Sequence, residues 1–406
     1  MTRSARAITV VLHDLPLGGG ERIAIRLANR WAASDRKVTV LCGSRQGPLA
    51  DMIDSSVEVV ECEPHIPRGP GSRKALGEAT AAFLSRRPSD ILFVPGNYHW
   101  PVLPAVARLP RHVRPGVVAQ IGTPLYRHGR GPLKQVAYNL RTWNQFQCVD
   151  SAVSLSASMT ADMDRVLGRK ITQCIRLPAA EDEAAPLTRA AGRMIVAAGR
   201  LVPEKGFDVA LRAFARLKDP SATLAIIGEG PERKRLGDLA ATLGVADRVM
   251  FPGYVPDIRP WLEKARAFLL SSYYEGYGAV IVEALAAGRP VVCTDCTPAA
   301  FELVGNGSAG AVAPIGDAAA LADGLRRVLN APAPAPAPLA ARVAAYRIGA
   351  ISQAYLQVFD EINTQRLASL ERRPFNLGAL WTFEPATPRP SPGSAPTYAG
   401  ALHQLK

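Results

Sequence analysis

Short apolar runs rich in β-branched residues alternate with helical patterns through the first half of this chain, and this alternation constrains the fold more than any other feature. Strands separated by helices form parallel sheets that are covered on both faces. The predicted strands are residues 8–12, 37–41, 90–94, 116–120 and 149–155, and the predicted helices are residues 21–33, 73–86 and 133–146.

The alternation breaks at residues 177–191, where prolines and acidic residues interrupt it, and then it restarts. In the second half, strands are predicted at 194–198, 223–227, 249–251, 267–270 and 290–293, and helices at 206–218, 232–243, 279–287 and 318–329. The predicted fold is α/β, with two doubly wound, Rossmann-like domains and a ligand cleft beyond the carboxyl ends of their strands.

This pattern divides the chain into four parts. We expect an N-terminal domain at 1–178 and a C-terminal domain at 179–338, which ends in a semi-rigid Ala-Pro spacer at 331–338. A long helical pattern at 342–364 predicts that 339–370 form a helix, which we expect to return to the N-terminal domain. The Pro-rich segment 371–406 has no periodicity and is predicted to be disordered.

Composition excludes several classes of protein. A hydrophobic content of 48% and a charged content of 20% are typical of a folded chain, and no apolar run reaches the roughly 18 residues that a spanning helix needs. Asp14 interrupts the first apolar run and no small-residue cleavage site follows, so we expect a cytoplasmic protein. Six scattered cysteines indicate reduced thiols, and the pair Cys293 and Cys296 lacks the further ligands of a metal site.

The net charge of +13 is concentrated in the first domain. Residues 1–178 contain 24 basic and 13 acidic side chains, whereas the rest of the chain contains 24 and 22. No acidic residue occurs between Asp90 and Asp150. A nucleic acid, an anionic membrane or a phosphorylated substrate would suit this surface. The alternative is composition alone, because Arg outnumbers Lys 39 to 9, a bias that genome base content can produce without selection for binding.

A glycine-containing loop at 271–278 gives the strongest local signal, because it joins a predicted strand to a helix that begins near Tyr277. Gly276 and Gly278 permit close approach of backbone amides, and a helix N-terminus attracts phosphate. Glu283 stands alone in the apolar helix that follows. A buried carboxylate needs hydrogen bonds or an ion pair, which sugar hydroxyls or an arginine would supply.

A second signal is the loop after the first strand of the C-terminal domain, which contains Arg200 and Lys205. A guanidinium fork and an ammonium group at one turn together suit a pyrophosphate. A solvated pair of loop charges is the alternative interpretation of either residue alone.

The segments GRLVPEKG, AIIGEGPERKRL, VMFPGYV, SSYYEGYGAVIVEALAAGRPVV and DAAALADGL, in this order, resemble those of the retaining glycosyltransferases of family 4, which have the GT-B fold. The N-terminal HDLPLGGGERIAIRLANRW is similar to the glycine-rich motif of that family. The resemblance covers roughly residues 7 to 330 and implies transfer of a sugar, with retention and without a metal, from a nucleoside diphosphate donor such as a UDP- or GDP-sugar. The implied acceptor is lipid-linked or a polysaccharide, as in lipopolysaccharide biosynthesis.

The resemblance also implies residue roles. Arg200 and Lys205 would bind the donor diphosphate, and Glu275 and Glu283 of the E-x7-E motif would contact the donor sugar and the ribose. The other implied donor contacts are backbone amides or turns, namely Gly276, Tyr277 and Gly278 for phosphate and sugar, Gly228, Glu229, Tyr254 and Val255 around the base, and Gly19 and Gly20 on the pyrophosphate.

Two features depart from the family or mislead. No His follows the strand at 116–120, where many relatives carry one, so His99 is a candidate for the acceptor site, or else a loop histidine without a chemical role. Asp162 and Asp164 match a DxD metal motif, but they lie in a segment that predicts a capped helix with acids in its first turn.

Residues 125–146 combine basic, aliphatic and aromatic side chains, the composition of a helix that lies on an anionic membrane. We expect peripheral attachment to the inner face of the plasma membrane, with an ordinary surface helix as the alternative. Three other functions stay open. A GT-B epimerase shares the architecture, a nucleic-acid-binding module would use the basic surface, and an oxidoreductase would need a GxGxxG motif that neither glycine-rich turn completes.

Overall fold

The N-terminal domain is built on one parallel sheet. The computed structural model describes residues 3–16, 18–126, 130–182, 185–190, 192–297, 299–305, 307 and 309–371. In the described part of this domain, seven strands pair in the order β3-β2-β1-β4-β5-β6-β7. They are β1 Ala7–Leu12, β2 Lys37–Cys42, β3 Glu58–Glu61, β4 Ile91–Val94, β5 Gly116–Ile121, β6 Ser151–Ser154 and β7 Thr172–Cys174.

Helices cover both faces of this sheet, as the continuous apolar strands require. They are α1 Gly19–Ala32, α2 Ser72–Arg86, the short α3 Gly96–His99 and α4 Leu103–Ala107, then α5 Pro132–Gln145 and α6 Ala157–Leu167. Trp31 of α1 and Phe93 of β4 are fully buried and pack edge to face, with ring centroids 5.3 Å apart. The apolar side of α1 therefore faces the sheet.

The C-terminal domain repeats the design with a second parallel sheet. Its described strands pair in the order β10-β9-β8-β11-β12-β13. They are β8 Met194–Ala198, β9 Thr223–Ile227, β10 Val249–Gly253, β11 Ala265–Leu270, β12 Val291–Thr294 and β13 Gly310–Ala313, with helices α7 Phe207–Leu217, α8 Arg233–Thr242, α9 Arg259–Lys264, α10 Ala279–Ala286 and α11 Ala318–Asn330. The predicted α/β fold with two doubly wound, Rossmann-like domains is therefore confirmed.

The last part of the chain differs from the prediction. A helix, α12 Pro336–Ala341, replaces the end of the expected Ala-Pro spacer, and its Pro336 packs against Gly288. The single helix predicted at 342–364 is instead a short 3₁₀ turn followed by α13 Ile348–Glu371. Prolines are tolerated in the first turn of a helix, which explains why α12 begins within the repeat.

Helix α13 packs on the N-terminal domain. The Asp360 carboxylate accepts a hydrogen bond from the backbone of Ala5 and forms an ion pair with Arg36 at 3.0 Å. The buried Tyr355 hydroxyl accepts a hydrogen bond from Gln120 on β5. The chain thus crosses between the domains twice, and the two crossings touch where Ala180 pairs with Arg347.

The predicted disordered tail lies outside the described residues, except for Glu371, which ends α13. Among the helices that the structure describes, none combines the length and apolar character needed to cross a bilayer. All six cysteines are free thiols.

Candidate active site in the cleft between the domains

The strand order reverses next to β1 in the first sheet and next to β8 in the second, and Arg22 and Arg26 of α1, which follows β1, are near enough to interact with Glu283 of α10, which follows β11. Such reversals open a crevice at the carboxyl ends of the strands. The backbone of Gly276 lies directly against the loop after β5, because a Cβ atom on Gly276 would come within 2.3 Å of the Gly122 carbonyl oxygen. The loop between β11 and α10 therefore touches the N-terminal domain at a position that only glycine fits.

Lys205 and Glu275 meet in this cleft. The Lys205 Nζ atom lies 2.6 Å from Glu275 Oε1, and the Ser272 hydroxyl donates to the same oxygen at 2.8 Å. Both charged side chains are mostly buried. The loops after β8 and β11 hold this pair in place, because the Tyr273 amide donates to the Glu204 carbonyl. An ammonium and a carboxylate predicted separately thus form one partly desolvated pair.

Helix α10 begins directly after the loop that contains Glu275, so its N-terminus lies beside the Lys205–Glu275 pair. Gly278 is the residue before the helix and has φ of +82°, a left-handed conformation that disfavours a side chain. The helix begins at Ala279, the first residue of the predicted helix 279–287, because Gly278 turns the chain before it. Its first amides have no partner within the helix, so they offer positive potential to an anion.

Glu283 lies on the cleft side of α10 and is partly buried. Burial raises the pKa of its carboxyl group, and the positive charges of Arg22 and Arg26 on α1 oppose that rise. Within the described part of the chain, no hydrogen bond or ion pair reaches this carboxylate. The alternative of a buried Glu283–Arg pair is therefore not what the structure contains.

The sequence analysis did not predict Arg22 and Arg26 as site residues, although their spacing after the glycine-rich turn was a signal for them. They follow the glycine-rich turn with a spacing of four, which places them on one face of α1. Arg26 pairs with Glu181 of the linker at 2.5 Å, whereas the buried Nε atom of Arg22 has no hydrogen-bond partner among the described residues. An unpartnered arginine atom and an unpartnered carboxylate thus border one cleft.

The remaining predicted residues lie around this centre. Arg200 is exposed and pairs with Glu204 at 3.4 Å, so it does not join the Lys205–Glu275 pair. Gly228 packs backbone to backbone on Gly199, which a Cβ atom would prevent. The Glu229 carboxylate reaches Gly253, beside Tyr254 and Val255, so the four residues predicted around the base are neighbours.

The first turn of α1 contributes an open edge. Gly19 and Gly20 are exposed, and no atom lies within 4 Å of a Cβ atom built on either. Glu21 folds back toward Gly18 and pairs with Arg68 at 3.2 Å, which leaves the glycine amides uncovered.

Tyr277 contributes only its backbone to the cleft, because its side chain is buried. Its hydroxyl lies 2.5 Å from the Tyr346 hydroxyl, and Tyr346 donates to Glu302 at 3.0 Å. Burial raises the pKa of Tyr277, and the Tyr346 hydroxyl adds to this effect. Tyr277 thereby connects the loop between β11 and α10 to the segment around Tyr346, where the chain returns to the N-terminal domain. The sequence of the loop did not predict this connection.

His99, a candidate for the acceptor site, is buried and contacts backbone through its ring. It is 3% exposed, its Nδ1 atom lies 2.6 Å from the Pro95 carbonyl, and its Nε2 atom accepts from the His13 amide at 3.1 Å. Burial lowers its pKa. Both ring nitrogens therefore bind backbone, which favours the alternative of a structural histidine.

Asp162 and Asp164 do not form a metal site. Ser156 caps α6 as predicted, but the aspartates lie in the middle of the helix, not in its first turn. Asp162 pairs with Arg165 at 3.0 Å and Asp164 accepts from the Thr172 amide. The described residues contain no cluster of three metal-binding side chains.

Comparison with known proteins shows what this chain is similar to. Residues 180–346 match the family model described as Glycosyl transferases group 1. LpsE, a lipopolysaccharide core biosynthesis glycosyltransferase of Rhizobium meliloti, is 37% identical over 150 residues, which are 37% of this chain and 43% of LpsE. The chain thus spans less than half of that relative. A glycogen synthase of Mycobacterium tuberculosis is 29% identical over 79% of this chain and 84% of its own length.

Solved structures extend the similarity to the whole fold. The structure of HepE from Anabaena, in complex with UDP and glucose, superposes with a TM-score of 0.66 over 90% of this chain and 99% of HepE, at 20% identity. The two-domain architecture is therefore the one found in HepE.

Proposed function

We propose that this protein transfers a sugar from a nucleoside diphosphate donor to a glycan or lipid-linked acceptor, because residues 180–346 match the family model Glycosyl transferases group 1 and the chain has the GT-B fold. One observation carries the proposal. The cleft between the domains combines the Lys205–Glu275 pair, the N-terminus of α10 and the unpartnered groups of Arg22 and Glu283. Unpaired polar groups at a cleft mark a binding site.

The donor would occupy this cleft with its diphosphate between Lys205 and the first amides of α10. Glu283 is suited to accept hydrogen bonds from ribose hydroxyls, since neutral donors satisfy a carboxylate without a second charge. Arg200 is exposed and reaches the pyrophosphate by leaving Glu204, an exchange that costs little because exposed ion pairs contribute about 0–1 kcal/mol. The base would lie against Glu229 and Tyr254.

Cleavage of the bond between the anomeric carbon and the phosphate leaves negative charge on the departing nucleotide. A fixed ammonium and helix amides stabilise that charge as it develops, and such stabilisation is worth about 10² to 10³ in rate for a single donor group. Glu275 holds the Lys205 ammonium in position through the 2.6 Å contact. We further propose retention of configuration, with the acceptor hydroxyl entering on the face from which the phosphate leaves.

The donor and acceptor classes are proposed from chemistry and from the relatives together. HepE binds UDP and glucose in its solved complex, which favours a UDP-sugar, and a GDP-sugar is the alternative. LpsE is named for lipopolysaccharide core biosynthesis, which favours a lipid-linked acceptor at a membrane, whereas the mycobacterial relative is a glycogen synthase and favours a polysaccharide. No finding favours the epimerase alternative.

Thermal unfolding in the presence of UDP-, GDP- and ADP-sugars tests the proposal. A donor at 100 times its Kd stabilises the folded state by about 2.7 kcal/mol, so one nucleotide class should raise the midpoint clearly. Lys205→Met should lower kcat/KM by about 10² to 10³. Lys234→Met is the matched control, since Lys234 forms an exposed ion pair on α8. Unchanged midpoints with every donor, or full turnover in Lys205→Met, would contradict the proposal.

A further inference from the structure

In helix α5 the usual distribution of side chains on a surface helix is reversed, with polar residues buried and apolar residues exposed. Its buried side chains are polar, Thr142 and Gln145, while its large apolar side chains face solvent. The exposed fractions are 85% for Leu133, 56% for Val136, 63% for Leu140 and 47% for Trp143. Single exposed apolar residues are common, but a contiguous row of four marks a contact surface.

These four residues form one stripe. At about 100° per residue they fall within an arc of roughly 80° on the helix. Lys134 and Arg141 are exposed on the side of the helix beyond Leu133, about 80–100° around the helix axis from it. We call these six side chains the α5 face. The sequence contains no acidic residue from 91 to 149, so no carboxylate from this segment offsets the two positive charges.

Arg130 is not part of this face. Its guanidinium group lies 4.0 Å from the centre of the Tyr138 ring and donates to the Leu125 carbonyl at 2.9 Å. It serves to fix the start of α5 on the domain, and charge reversal there would disturb the fold.

Tyr138, on the side of α5 opposite this face, joins the helix to the cleft by a short chain of contacts. The Asn97 amide contacts the Tyr138 hydroxyl of α5 at 3.5 Å and donates to the Thr123 carbonyl at 3.1 Å. The Asn97 side-chain oxygen accepts from the Gly122 amide at 2.8 Å, and Gly122 is the residue that touches Gly276. Helix α5 therefore packs on the wall of the cleft through Tyr138, and the α5 face lies on the opposite, outer side of the helix.

We propose that the α5 face docks the protein on an anionic lipid bilayer. An apolar stripe bordered by basic side chains inserts among acyl chains while its cations meet lipid phosphates. A second copy of this chain is a poorer occupant, because a two-fold contact would bring two basic faces together. That the bilayer also presents a lipid-linked acceptor to the cleft rests on the proposed function, whereas docking itself does not.

Flotation with vesicles tests the docking without any donor or acceptor. The full chain should float with vesicles that contain phosphatidylglycerol, float much less with pure phosphatidylcholine, and be released by high salt. Lys134→Glu with Arg141→Glu should lower the partition coefficient by at least about 25-fold, since each basic residue near an anionic surface contributes about fivefold. Lys234→Glu with Lys264→Glu changes the net charge equally on the other domain and should leave flotation unchanged.

The apolar part of the face needs its own variants. Leu133→Ser with Leu140→Ser should abolish flotation, while Met250→Ser with Leu370→Ser, which alters exposed apolar residues elsewhere, should not. Vesicles should shift the tryptophan emission to shorter wavelength, and Trp143→Phe should remove that shift.

Two results would overturn the proposal. One is equal flotation of wild type and both α5 variants. The other is no flotation of the wild type together with a dimer that Leu133→Ser and Leu140→Ser dissociate, which would assign the face to a second copy. Donor-induced thermal stabilisation, measured on the same variants without vesicles, should stay at the wild-type level. Its loss in every protein, with flotation intact, would count against the proposed function alone.

Discussion

Glu283 shows how one residue can oppose stability in the free protein and support binding in the complex. Its carboxylate is partly buried beside a helix end without a hydrogen-bond partner among the described residues, and burial raises its pKa above the usual 4.5. The charged form is therefore held at a cost to the folded state. A ligand that donates hydrogen bonds to it would remove that cost.

Glu283→Gln should therefore raise the unfolding midpoint of the ligand-free protein at pH 7. Because the folded-state pKa is raised, the charge of Glu283 destabilises the fold only above the unfolded-state pKa. The difference between variant and wild type should vanish below about pH 4, grow as the pH rises toward the folded-state pKa, and stay constant above that pKa. Nucleotide affinity should fall about tenfold, since a neutral acceptor forms weaker hydrogen bonds than a charged one. Thermal melts over pH 4–8 measure the change in the unfolding midpoint, and titration calorimetry measures the nucleotide affinity. A lower midpoint of Glu283→Gln at pH 7 would contradict the predicted stabilisation.

At the scale of elements, the sequence predicted the buried strands well and the edge strands poorly. Residues 194–198 and 223–227 were predicted at their observed bounds, because apolar β-branched runs buried on both faces have few alternatives. β3, β7 and β13 were missed. β3 has Glu at both ends and lies at the sheet edge, and β7 has only three residues, so neither shows an apolar run.

The loops of the site were predictable for a similar reason, while their contacts were not. Parallel strands bring the loops after β8 and β11 to one edge of the sheet, which is where Lys205 and Glu275, predicted separately, form their pair. Two contacts of the site depend on how the two domains are oriented. Gly276 packs so closely on the Gly122 carbonyl that a side chain would not fit, and Arg22 of one domain lies near Glu283 of the other. A single sequence carries no local signal for such an orientation.

The N-terminus of α10 provides a prediction for one element. Gly278→Ala places a side chain at φ of +82° and should destabilise the protein by about 1–2 kcal/mol in urea unfolding. It should also weaken donor binding, because the helix amides would move. Gly71→Ala is the matched control, since Gly71 precedes α2 at φ of +78° with open space around its Cα atom. We expect a similar stability loss in the control and normal donor binding, and equal binding losses in both would refute a role for the α10 terminus.

At the scale of the whole molecule, the two domains are held together by connections of different kinds. The chain crosses twice, α13 anchors the C-terminal end to the N-terminal domain, and Arg26 and Arg30 of α1 pair with the first linker. The Tyr277–Tyr346 contact joins the loop between β11 and α10 to the segment before α13, in which the chain returns to the N-terminal domain. Movement of one domain would therefore move the backbone that lines the proposed phosphate site, which links cleft geometry to donor binding.

The direct contact between Gly276 and Gly122 tests this link. In Gly276→Ala the new methyl group would lie 2.3 Å from a backbone carbonyl oxygen of the other domain, and backbone cannot yield as a flexible side chain can. We expect the domains to separate, which small-angle scattering would record as a larger radius of gyration, while circular dichroism stays normal. Donor affinity should fall at least about tenfold, because Lys205 and the α10 amides would no longer face α1 across a narrow cleft. Gly69→Ala, at a glycine with no atom within 4 Å of a built Cβ, should change neither quantity. If Gly276→Ala binds the donor normally at an unchanged radius, the observed contact between the domains is not needed for the site.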